Sequence, residues 1–182
     1  MASKVCGRKS GVAKQSIVIP VVIGSNIQSI IAGLEALLND IPIRRKRGQA
    51  LPGKTVVSMS LGVNSDNQGY ITQLQNTVKA IMDLGVIVVV AAMNERLKSG
   101  FANTLYPAKL APNFPSLIRI GAVDKTGQLA DFSQQGDLYT CGVEALCADK
   151  DSSFFEVDSD GSSGGEPARP ILPAPLRSSS FS

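Results

Sequence analysis

The side chains that could do chemistry sit in a few short segments: Ser58-Met59-Ser60-Leu61-Gly62, Ala91-Ala92-Met93-Asn94-Glu95, Gly121-Ala122-Val123-Asp124 and Gly161-Ser162-Ser163-Gly164-Gly165-Glu166-Pro167. A serine hydroxyl is a weak nucleophile until an adjacent base takes its proton, and the usual base is histidine. The 182-residue chain contains no histidine. That excludes histidine-based general base catalysis and argues against catalytic zinc. The three cysteines, Cys6, Cys141 and Cys147, contain no CxxC pair and define neither a zinc site nor a disulfide framework. Cys141 and Cys147 could pair in an oxidising compartment or remain small half-buried thiols. There is no clear carboxylate cluster for calcium. No GxGxxG follows a strand and no GxxxxGK[ST] is present, so a nucleotide-binding α/β protein ranks low. No cofactor is expected.

The elements that must position these segments follow from the hydrophobic pattern. Ile17 to Ile23, Thr55 to Leu61, Val86 to Ala92 and Leu117 to Val123 are short apolar runs that read as strands, the first weakened by Pro20. A further short strand is expected within 130–133 or 138–143. Helical spacing marks 27–38 and 70–84, the second closed by Gly85. Between the first helix and the second strand lies the basic run Arg44-Arg45-Lys46-Arg47, read as a solvated loop. Strand–helix–strand alternation implies an α/β fold with a parallel sheet, and such sheets bind ligands beyond the carboxyl ends of their strands. The segments at 58–62, 91–95 and 121–124 stand at strand ends, as that rule requires.

Composition sets the outer bounds. Hydrophobic residues make up 43% and charged residues 18% of the chain, enough for one domain with a sizeable core. The net charge is only +3, tryptophan is absent and aromatics are 5%, which leaves little to stack nucleic-acid bases. No apolar run reaches the ~20 residues of a membrane helix. Neither nucleic acid nor membrane is therefore expected as a partner. The start shows no basic, apolar and small-residue series, so no signal peptide is expected and the compartment stays open. From about Asp151 the composition turns to Ser, Gly, Asp and Pro, and 151–182 is expected to be a poorly ordered tail behind a domain spanning 1–150.

The post-strand segments carry a resemblance. Met59-Ser60-Leu61-Gly62, Ala91-Ala92-Met93-Asn94, Tyr106-Pro107-Ala108, Pro115-Ser116, Gly121-Ala122-Val123-Asp124 and Phe132-Ser133 come in the order and spacing of subtilisin-like serine proteases, the subtilases of peptidase family S8. Gly11-Val12-Ala13-Lys14 resembles the family's segment shortly after its catalytic histidine, and the lengths look closest to the proteinase K branch. The resemblance implies a three-layer subtilisin-like fold, incomplete here, and peptide-bond hydrolysis as the ancestral chemistry. It implies that Asn94 is the oxyanion-hole amide. It implies that Ser60, Leu61 and Gly62 pair with an extended peptide or protein substrate, and that Ala91, Ala92 and Met93 stand at the wall of the first specificity pocket. The family is often secreted.

Where the pattern departs is as informative. The family's triad Asp and His lie upstream of the matching region and are absent. Met93 replaces a glycine, and Cys141-Gly142 replaces Pro-Gly. Ser163 falls at the spacing of the nucleophile motif, although Gly164-Gly165 and the Pro-rich continuation favour a low-complexity tail over that reading. In subtilisin, a worked case of triad non-additivity, losing His alone costs on the order of 10⁶ in rate. This chain alone is therefore expected to be inactive. The alternative function is a non-catalytic module that binds extended peptides. By analogy with the family, the strand bearing the triad Asp would lie between the strands matching 17–23 and 55–61. Its loss is expected to leave unpaired edges and a marginal or aggregation-prone chain.

Overall fold

The computed structural model describes residues 5–6, 11–143, 146–148 and 155–157. Its centre is a parallel sheet of β1 (Val56–Met59), β2 (Ile87–Ala91), β3 (Ile118–Val123) and β4 (Leu138–Cys141), in the spatial order β1-β2-β3-β4. β2 pairs with β1 through Val56↔Ile87 to Met59↔Val90, and with β3 through Val89↔Ile118 to Ala91↔Ile120. Val88, Val89, Val90 and Ala91 are all buried. A strand covered on both faces must be apolar at every position, and this is why the run 86–92 shows no alternation. β3 pairs with β4 from Ile120↔Leu138 to Val123↔Cys141. A short antiparallel pair, β5 (Leu146–Ala148) with β6 (Phe155–Val157), forms a separate sheet. The domain boundary expected near 150 falls between these two strands, at residues outside those described, as does most of the expected tail.

The helix α1 (Ile27–Lys46) precedes β1, and α2 (Gln68–Asp83) connects β1 to β2. Each starts at an asparagine whose side chain accepts backbone N–H bonds: Asn26 from Ser29 at 2.8 Å, and Asn67 from Gly69 at 2.9 Å and Tyr70 at 3.2 Å. These satisfy donors that the first helical turn leaves unpaired. α2 ends as its sequence predicts. Gly85 follows the cap residue Leu84, takes φ 67°, and its N–H returns to the Met82 carbonyl at 2.7 Å. That left-handed conformation is accessible to glycine without a Cβ penalty. Ile27, Ile30, Ile31 and Leu34 of α1 join Ile71, Leu74, Val78 and Ile81 of α2 in one buried cluster with Val57, Met59, Val88 and Val90 of the sheet.

Two expectations are corrected. The basic run 44–47 is not a loop: α1 continues through Pro42 to Lys46. Burial of Ile41 holds this extra length in the core, Asp40 pairs with Arg44 one turn on, and Arg45 donates to the Leu84 carbonyl at the end of α2. Three cations in the last turn also complement the negative end of the helix dipole. The second correction concerns 17–23, which forms no strand. Its apolar, β-branched composition is that of a strand, but a strand needs a ladder partner. Among the described residues β1 pairs only with β2, and neither its outer edge nor this run has a ladder partner. Ile23 and Val21 instead rest against α1 at Gly33, where an added Cβ would come within 2.5 Å of Ile23 Cγ2. Ile17 remains 80% and Val22 97% exposed.

Exposed β-branched residues invite self-association, as does a strand edge that has no partner among the described residues. The double variant Ile17→Lys, Val22→Lys is expected to remain monomeric at concentrations where the parent associates, with stability changed by no more than about 0.5 kcal/mol. Size-exclusion chromatography and thermal melts check both halves. By contrast, Leu74→Ala, at a fully buried position between the helices, is expected to cost about 2–5 kcal/mol in denaturant unfolding.

Candidate functional site

The sheet register brings the predicted segments together. Met59 stands beside Val90, so Ser60-Leu61-Gly62 and Ala91-Ala92-Met93-Asn94 leave the carboxyl ends of β1 and β2 as neighbours. Val63 then exchanges backbone hydrogen bonds with Tyr106, at 3.0 and 2.9 Å, which fixes the direction of the segment after β1. Ala91, Ala92 and Met93 are buried, Ser60, Leu61 and Asn94 are half-buried, and Gly62 is exposed. The Ser60 hydroxyl oxygen is buried without a hydrogen-bond partner among the described residues. Leaving a buried hydroxyl in that state is costly. Ser163, the candidate nucleophile, lies outside the described residues.

Met93 is the strained member of the set. Its φ is 76°, and among the described residues it alone takes positive φ without being glycine. For a residue with a Cβ this conformation costs roughly 1–2 kcal/mol. Strain of this kind persists only where the surroundings over-determine it, and they do here. Asn103 Nδ2 donates to the Ala92 carbonyl at 2.8 Å, and the Gln134 N–H donates to the Met93 carbonyl at 3.1 Å. The Met93 side chain is only 4% exposed. Its sulfur lies over Gly62, where an added Cβ would meet Met93 Sδ at 2.5 Å and Leu105 Cδ1 at 2.9 Å. Any side chain at position 62 would therefore collide with both.

The residues that hold this turn were not visible in the sequence. Arg119 on β3 donates from Nε to Asp137 Oδ2 at 3.1 Å and from Nη2 to Asp137 Oδ1 at 2.5 Å. Its Nη1 donates to Asn103 Oδ1 at 2.8 Å. Asp137, Arg119, Asn103 and the Ala92 carbonyl thus form a continuous relay. Gln134, fully buried, donates from Nε2 to the Ala102 carbonyl at 2.6 Å and fastens the loop that carries Asn103. Because these partners come from β3 and two separate loops, no sequence spacing announces them. Two recesses lie elsewhere. One of about 500 Å³ opens at the amino ends of β2 and β3, lined by Met82, Gly85, Ile87 and Pro115 among others. The other, of about 120 Å³, lies beside Asn103, Lys109 and Arg119.

The hydrogen bond from Arg119 holds the Asp137 carboxyl below its ordinary range, and the same bond raises the Arg119 guanidinium. A carboxyl lowered by folding adds stability above its unfolded pKa of about 3.9 and loses it as pH falls through the lower folded value. Asp137 is 40% exposed, so solvent screens the pair and the effect is modest. Asp137→Asn is expected to be less stable than the parent at neutral pH, with the gap closing as pH falls from about 5 to about 2. Urea unfolding of both proteins across that range measures it.

Comparison with known proteins places this geometry. The profile of the subtilase family matches residues 1–151. The chain is 31% identical over 149 residues to a cuticle-degrading serine protease of Arthrobotrys oligospora, covering 80% of this chain and 32% of that protein. It is 30% identical over 155 residues to alkaline protease 1 of Aspergillus clavatus, covering 81% of this chain and 34% of that protein. The chain thus spans about a third of the length of these relatives. Among solved structures, the prenylagaramide maturation protease PagA superposes with a TM-score of 0.64 at 20% identity, covering 93% of this chain and 58% of that one. That likeness is one of fold. The ordered motifs, the parallel sheet and the family match agree: the chain belongs to the subtilase family and carries part of its α/β fold.

Proposed function

We propose that this chain supplies the peptide-gripping part of a subtilase and, by itself, binds extended peptides without cleaving them. The observation that carries the reading is the juxtaposition of Ser60-Leu61-Gly62 with Ala91-Ala92-Met93-Asn94 at the carboxyl ends of two adjacent parallel strands. An extended peptide laid along Ser60–Gly62 would add a strand, with main-chain hydrogen bonds giving affinity. Asn94, beyond the end of β2, would present its amide to an oxyanion, a contribution worth about 10²–10³ in rate where an acyl-transfer reaction occurs. Such a reaction needs an activated nucleophile. With no histidine in the sequence, a serine here lacks the usual partner that would take its proton. The adjacency of the two binding segments, in a sequence that holds no histidine, supports binding over turnover for this chain by itself.

The test uses one blocked, extended hexapeptide and its counterpart N-methylated at alternate backbone amides. Calorimetric titration is expected to show saturable binding of the first and at least about tenfold weaker binding of the second, the cost of losing main-chain bonds. Mass spectrometry of the same mixture is expected to show intact peptide. Cleavage that survives repurification would contradict the non-catalytic reading, and equal binding of the two peptides would contradict strand addition.

A further inference from the structure

We infer that Met93 is a built-in plug, whose side chain occupies the space that an apolar side chain of a bound peptide would otherwise enter. The inference rests on the peptide-binding reading above and adds what sets its specificity. Met93 sits at the exit of β2 with φ 76° and is 4% exposed. Its sulfur faces the spot beside Gly62 where a Cβ would stand, and Leu105 closes the same spot from another side. Gly62 itself is exposed, so the peptide-facing segment and the buried methionine meet across one glycine. Neither recess described above is lined by Gly62, Met93 or Leu105.

The backbone of this turn is held from two sides, by Asn103 on the Ala92 carbonyl and by the Gln134 N–H on the Met93 carbonyl. Opening the space therefore falls to the methionine side chain. That side chain has three rotatable bonds and adapts its shape more readily than a branched one. Met93 belongs to the buried apolar cluster against which Leu61, Val63 and Leu105 pack, and Met93 and Leu105 both meet the bare face of Gly62. The ligand it excludes is accordingly a neutral, apolar side chain no larger than methionine's own. Replacement by glycine removes the plug and also suits the left-handed backbone.

The experiment compares the full chain with Met93→Gly and Met93→Ala, using a blocked extended hexapeptide with one central leucine and its twin with alanine at that position. The parent is expected to bind both within about twofold of each other, and Met93→Gly to prefer the leucine peptide by about tenfold or more, the scale of discrimination an apolar pocket achieves. If the parent already prefers leucine as strongly as the variants do, the plug is overturned while strand addition stands. If no peptide binds parent or variant, the binding reading fails and the plug with it. Should Met93→Gly not fold, judged by circular dichroism, Met93→Ala carries the same comparison. Methyl-labelled methionine in the parent gives an independent readout: an Overhauser contact between the Met93 and Leu105 methyl groups is expected, and its absence would overturn the inference.

Discussion

The burial of β2 between β1 and β3 constrains everything that happens at the site. A parallel strand covered on both faces can shift its register only by moving buried apolar side chains and breaking two ladders. With Val88 to Ala91 locked in this way, the residues just beyond the strand have a fixed starting point. Ala92, Met93 and Asn94 are then held at a set distance from the segment leaving β1. On the reading proposed above, that placement sets backbone for a peptide strand on one side and the half-buried Asn94 on the other.

The relay from Asp137 through Arg119 and Asn103 to the Ala92 carbonyl shows how such a turn is kept in a disfavoured conformation. A bidentate arginine–carboxylate pair is geometrically demanding, and its value here is directional more than energetic. It aims Asn103, and Asn103 binds the carbonyl that precedes Met93. Gln134 performs the matching task on the other side of the residue. The strain at Met93 is thus offset by contacts from two loops, one of them aimed by Arg119 of β3.

Much of the architecture was legible in the sequence because it rests on local signals. The runs 55–61, 86–92 and 117–123 became strands, and Gly85 ended α2 as its position implied. The failures are equally physical. Residues 17–23 have the composition of a strand, but composition does not reveal whether a neighbour is present to pair with. The first helix ran past Pro42 because Ile41 finds the core and Arg45 finds a carbonyl on α2, both tertiary facts. The candidate segments were found through strand ends and motif order. Arg119, Asn103, Gln134 and Asp137 were missed because they act through contacts between β3 and distant loops, and Met93 was placed at a pocket wall only by family resemblance, with its positive φ unforeseen.

The placement of the peptide is the central claim, and amide hydrogen exchange tests it most directly. Adding a blocked extended peptide is predicted to slow exchange at 60–63 and 92–94 while leaving the outer edge of β1 and residues 17–23 unchanged. Protection that appeared instead along 17–23 and 56–58 would mean that the peptide fills the unpaired edge of the sheet, and the account of the site would be wrong.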